Sequence, residues 1–186
     1  MNASILNIFR LLALAVCLIL PGCSSLTASP PPPAEASYTV AFSPRGASLE
    51  LALSCIRAAE RSILVAAYSF TSKPVALALT EAHQRGVTVR VVADKKGNSS
   101  RYTAVTYLAN HGIPVRLNGK YAIHHHKFMV IDVRHVQTGS FNYSAAAVDK
   151  NAENMLVLRN VPELAAQYAA EWQQLWDEAE SLPAQY

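Results

Sequence analysis

Ile63-Leu-Val-Ala-Ala-Tyr68, then Pro74 to Arg85, then Gly86, then Val87-Thr-Val-Arg-Val-Val-Ala93: this run decides the architecture. The first piece is continuously apolar, as a strand covered on both faces must be. The second spaces its apolar residues helically, with Pro74 suited to the first turn and Gly86 to the C-terminal stop. The third is again an apolar, β-branched strand. Strand, helix and strand in that order predict a crossover unit between parallel strands.

The same alternation continues outward. Upstream lie a short β-prone segment, Tyr38–Phe42, and a helical pattern over Ala47–Glu60. Downstream, a helix over Tyr102–His111 stops at Gly112, and Pro114–Leu117 reads as a strand. Lys127–Asp132 and His135–Thr138 read as two strands joined by a tight turn at Val133-Arg134. A short helical piece near Ser144–Lys150, a strand over Met155–Arg159 and a helix over Pro162–Glu180 complete the chain. Leu164, Tyr168, Trp172, Leu175 and Trp176 share one face of that helix, a core-packing stripe. The expected fold class is α/β, a mixed sheet sandwiched between helical layers. The 186 residues suffice for one such domain, expected over 38–186.

The first 37 residues do not fit this pattern. Residues 1–22 read as an export signal, with Arg10 ahead of the apolar stretch Leu11–Leu20. Ten apolar residues are too few for a membrane span, which needs about 20. Leu20-Pro21-Gly22-Cys23 resembles a lipoprotein signal, in which Cys23 becomes lipidated. Ordinary cleavage a few residues later and an uncleaved anchor stay open. All three readings place the domain outside the cytoplasm, in the periplasm and, with a lipid anchor, at a membrane. Residues 23–37 contain Pro30–Pro33 and read as an extended linker. Of the three cysteines, Cys55 alone falls within the domain, so no internal disulfide is expected there. Its apolar neighbours predict a buried, inert thiol.

Net charge is only +3, but its distribution is uneven. Arg85 to Lys127 holds eight bases and one acid, whereas Asp149 to Tyr186 holds seven acids and two bases. A positive zone of that kind attracts phosphates.

The chemistry concentrates between Ile123 and Asn142. His125 and Lys127 stand two apart at the start of an apolar strand, so alternation predicts one face for both. Ser140 and Asn142 are also two apart, after the next strand and Gly139. An imidazole, an ammonium, a hydroxyl and an amide together suit phosphoryl transfer. The imidazole attacks phosphorus, while the ammonium and amide hold the non-bridging oxygens. The serine is free to bond a nearby carboxylate or imidazole. Asp132 lies an odd number of residues from Lys127, so it should point away from the phosphate and hold structure.

His125-x-Lys127-x4-Asp132-x6-Gly139-Ser140-x-Asn142 resembles the HKD signature of the phospholipase D superfamily. Phe42-Ser43-Pro44, Ala67-Tyr68-Ser69-Phe70-Thr71, Phe141-Asn142-Tyr143-Ser144 and Asn151-Ala152-Glu153-Asn154 are similar to segments of its small bacterial nucleases. The resemblance implies a phospholipase D-like fold with one motif per chain, no cofactor, no metal and a phosphohistidine intermediate. It makes His125 the nucleophile or acid, and Lys127, Asn142 and Ser140 the phosphate ligands. Glu153 would orient the imidazole, and Asp132 counts with the site as part of the signature. Two subunits would make one active centre. In-line displacement asks the same, because one imidazole cannot attack phosphorus and protonate the leaving oxygen opposite. A homodimer sharing one site is therefore expected.

Lys95, Lys96 and Arg101 follow a strand end and are expected to touch substrate, with His124 and His126 flanking the site. His124 and His126 also invite a metal reading, with His135 the only nearby third ligand. Zinc sites need three or four, so no metal is expected. Nucleic acid, most simply DNA with RNA as a second possibility, is the expected substrate. A hydrolase of membrane phospholipids is the alternative, and an inactive nucleic-acid-binding lipoprotein the third reading.

Overall fold

The computed structural model describes residues 35–185 apart from 46, 101 and 102. The expected signal, Cys23, Arg101 and nearly all of the linker lie outside the described residues. Eight strands form one mixed sheet in the order β1-β7-β6-β5-β2-β3-β4-β8. They are β1 (Ser37–Ser43), β2 (Ser62–Ala67), β3 (Thr88–Asp94), β4 (Val115–Asn118), β5 (Lys127–Ile131), β6 (His135–Gly139), β7 (Glu153–Arg159) and β8 (Glu180–Ser181). The helices are α1 (Ala47–Ala58), α2 (Lys73–Gln84), α3 (Ala104–Asn110), α4 (Ala145–Asp149) and α5 (Pro162–Asp177).

β2, β3 and β4 run parallel through the crossovers α2 and α3. β5, β6, β7 and β1 add antiparallel on one side and β8 on the other. Alternating side chains split the core in two. Met129 and Ile131 of β5 face a cluster built with α1, α2 and α3, around Ile56, Leu79 and Leu108. Phe128 and Val130 face α5, against Trp172 and Leu175. β5 is buried along its whole length because helices cover both its faces. The tryptophan stripe is packing: Trp172 is buried, donates to the Val65 carbonyl oxygen at 2.8 Å and stacks on Trp176. Cys55 is buried on α1, and burial pushes its thiol up.

Two expectations need correction. The turn after β5 is centred on Asp132 and Val133, which both take left-handed backbone, one residue earlier than expected. The last helix ends at Asp177 rather than Glu180, because the Ala179 N–H closes a turn on the Trp176 carbonyl and Glu180 pairs with Leu117. That pairing is β8, an element too short to leave a periodic signal.

Candidate active site

Given the strand directions, one end of the sheet collects the C-terminal ends of β2, β3 and β6 and the N-terminal ends of β5 and β7. Open α/β sheets bind ligands at such carboxyl ends. His125, Lys127, Ser140, Asn142 and Glu153 all lie there. Asp132 lies at the opposite end of β5, beside the start of β2.

His125 precedes β5 rather than belonging to it. Its side chain is exposed, and its ring lies 4.6 Å from the Tyr68 ring at the end of β2. Lys127 opens β5 and is buried. Its Nζ donates to the His125 carbonyl oxygen at 2.7 Å and stands 5.1 Å from the centre of the Tyr68 ring. Burial lowers the Lys127 pKa, and the Glu153 carboxylate opposes that shift. Imidazole and ammonium thus share one aromatic support, which strand alternation alone did not show.

Phe128 pairs with Thr138, which sets Lys127 level with Gly139 across the β5–β6 ladder. Gly139 has φ +146°, and a Cβ there would collide with the Asn154 carbonyl oxygen. Only glycine permits that approach. The same oxygen accepts the N–H groups of Ser140 and Phe141, which fixes the turn carrying Ser140 and Asn142. The Ser140 hydroxyl donates to Glu153 Oε2 at 2.6 Å and accepts the Asn154 N–H at 3.0 Å. Asn142 Oδ1 is buried without a partner among the described residues. Buried polar atoms are normally bonded, so this unmatched acceptor marks a locally unsatisfied amide.

Several expectations change here. Glu153 bonds Ser140 and Asn151 within its own chain and makes no hydrogen bond to His125 among the described residues. His124 is only 2% exposed and not open to substrate. Burial, with His126 and Lys127 nearby, lowers its pKa to about 4. Half-exposed His126 faces Glu171 of α5 at 3.3 Å. Lys95 and Lys120 of the basic tract pair with Glu180 and Glu178 at 2.7 and 2.6 Å. The acidic C-terminus thus folds back on the basic zone that the sequence set apart from it. Lys96 Nζ donates to the Ala122 carbonyl oxygen, in the segment that precedes His125, at 3.3 Å. Among the described residues, no group of three or more His, Cys, Asp and Glu side chains is arranged to hold a metal ion.

Asp132 performs the structural work read for it. Its carboxylate accepts the N–H groups of Glu60, Arg61 and Ser62, the closest at 2.7 Å. Burial raises its pKa, but those three bonds and the Arg61 charge outweigh it, and the net shift is downward.

A hollow of about 350 Å³ adjoins His125 on the α5 side. His126, Phe128, Thr138, Gln167, Tyr168 and Glu171 line it. Sequence reasoning assigned Tyr168 to packing and passed over Gln167 and Glu171. Only the docking of α5 across β5 and β6 brings them to the site.

The family model described as cardiolipin synthase, PLD-like domain, matches residues 52–176. The structure is similar to that of Nuc, a phospholipase D family member from Salmonella typhimurium, with a TM-score of 0.79 and 41% identity. That match covers 81% of this chain and all of the other. A protein named phospholipase D from Rickettsia conorii is 32% identical over 138 residues, 74% of this chain and 68% of its own. A mitochondrial cardiolipin hydrolase of Chlamydomonas reinhardtii is 32% identical over 130 residues, 70% of this chain and 58% of its own. With His125, Lys127, Ser140 and Asn142 of the signature gathered at one end of the sheet, the chain belongs to the phospholipase D superfamily and is a phosphodiesterase, a hydrolase.

Proposed function

We propose that this phosphodiesterase is an exported, nonspecific endonuclease that cleaves DNA without a metal ion, as a homodimer sharing one active site. The observation that carries the mechanism is the exposed His125 ring beside the buried Lys127, with Ser140 and Asn142 at the same sheet end. His125 attacks phosphorus, and the bond to the leaving oxygen breaks as that oxygen takes a proton from the imidazolium of a second protomer's His125. Water then attacks the phosphohistidine, gives its proton to that second imidazole and releases the phosphomonoester. Lys127 and Asn142 hold the non-bridging oxygens as their charge grows. Ser140, bonded to Glu153, fixes the turn that presents Asn142.

The hollow beside His125 supports a nucleic-acid substrate. Its wall mixes aromatic faces (Phe128, Tyr168) with hydrogen-bonding groups (Thr138, Gln167, Glu171), which suits a base and sugar better than acyl chains. A second reading, hydrolysis of membrane phosphodiesters, is favoured by the names of the Rickettsia and Chlamydomonas relatives. Lipidation at Cys23 would place the enzyme at that substrate and remains part of the proposal. Chelator-treated protein offered plasmid DNA, RNA and phospholipid vesicles in parallel decides between them. Cleavage of plasmid with His125→Ala inactive is the expected result. Turnover of vesicles alone, or loss of all activity on chelation, would overturn the nuclease reading.

A further inference from the structure

We infer that Asp94 is a positioning residue for His125, acting through the backbone of His124, with Asn98 and Tyr68 as the second arm of the same clamp. The inference rests on the proposed role of His125 as the attacking group. Residues Tyr121 to His126 belong to no strand, so no ladder fixes the segment that carries His125. Asp94, at the end of β3, is 2% exposed and spends both carboxylate oxygens on backbone. Oδ2 accepts the His124 N–H at 2.7 Å, and Oδ1 accepts the Gly97 N–H at 2.6 Å. A buried carboxylate that answers two backbone N–H groups, the His124 one itself buried, defines a geometry as well as a contact.

The second arm runs through Asn98, itself 3% exposed. Its amide nitrogen donates to the carbonyl oxygens of Tyr68 at 2.7 Å and Asp94 at 2.9 Å, and its oxygen accepts the Phe70 N–H at 3.0 Å. Tyr68, so held, presents the ring against which His125 lies. Asp94 and Asn98, on either side of Lys95 and Lys96, thus form a buried clamp between the ends of β2 and β3 and the His125 segment. An ångström of drift in a reacting group costs on the order of 100-fold in rate, so the clamp bears on the chemical step more than on substrate affinity.

The test is steady-state hydrolysis of bis(p-nitrophenyl) phosphate by the purified full chain, well below each variant's melting temperature. In Asp94→Asn one oxygen becomes an NH2 group that cannot accept, so either His124 or Gly97 loses its partner. Its kcat should fall about 30- to 100-fold with KM changed less than about threefold. Tyr68 is only half-buried, so Tyr68→Leu gives a second variant less dependent on folding, and it should show the same split. Tyr68→Phe keeps the ring and should restore wild-type kcat, and Ser99→Ala in the same loop should match wild type. Folded Asp94→Asn at wild-type kcat, or losses confined to KM, would overturn the inference while leaving the proposed function standing. A wild-type protein that hydrolyses no phosphodiester would overturn both.

Discussion

The two ends of β5 carry two parts of one signature and treat polar groups in opposite ways. At the far end, the Asp132 carboxylate is saturated by three backbone N–H groups and its charge is favoured. At the near end, the His125 ring is exposed, the Asn142 oxygen is buried without a partner among the described residues, and burial disfavours the Lys127 charge. Saturated groups stabilise a fold, whereas an open imidazole and a desolvated ammonium are groups kept for a ligand. The near end costs stability that the rest of the domain supplies, and the far end tethers β5 to the start of β2.

That contrast can be broken in three places. The largest expected effect is on the near end. His125→Ala should lower kcat by about 10⁴-fold or more with the fold intact. If the site is shared, randomly mixed wild-type and His125→Ala subunits should retain about a quarter of the activity, whereas independent sites would retain about half. Lys127→Met should lower kcat by about 10²- to 10³-fold. Because burial depresses the Lys127 pKa, wild-type activity should fall on the alkaline side below the ordinary lysine range. Stability should respond with the opposite sign. The folded state binds fewer protons than the unfolded state between the depressed and ordinary values, so stability gained there rises with pH. At neutral pH, Lys127→Met should therefore melt no lower than wild type, and a clear loss of melting temperature would assign Lys127 to the fold. The smallest effect on rate is expected at the far end. Asp132→Ala strands three N–H groups and should cost about 2 to 4 kcal/mol in denaturant unfolding, with kcat of the folded protein near wild type. Its carboxylate's contribution is present above the ordinary carboxylate pKa and lost as pH falls through the lowered one. Wild type and Asp132→Ala should therefore converge in stability at acid pH. A variant that lost rate rather than stability would erase the distinction between the two ends.

Much of this was legible in the residues. The apolar runs and helical spacings located seven of the eight strands and all five helices, because period and punctuation are local. The odd offset between Lys127 and Asp132 predicted that their side chains part, and the structure sets them at opposite ends of β5, with Asp132 in the turn beyond the strand. Other features were not local. β8 exists only because β4 has an open edge for Glu180 and Ser181. The Ser140 hydroxyl and the Glu153 carboxylate are 13 residues apart, and β6–β7 pairing makes them partners. The bond between Asp94 and the His124 N–H spans 30 residues. The pairing of Lys95 with Glu180 spans 85, which sequence charge counts read as two separate zones.

By itself the sequence determined the α/β class, the helix and strand identities and the set of groups able to handle a phosphate, since propensity, periodicity and motif spacing act over a few residues. Tertiary structure alone decided which of those groups face one another. His124 is sealed while His125 is open, Glu153 serves Ser140, and α5 supplies a wall beside the site. The physical reason is that burial and hydrogen-bond partnership belong to the packed sheet, where strands distant in the chain become neighbours in space.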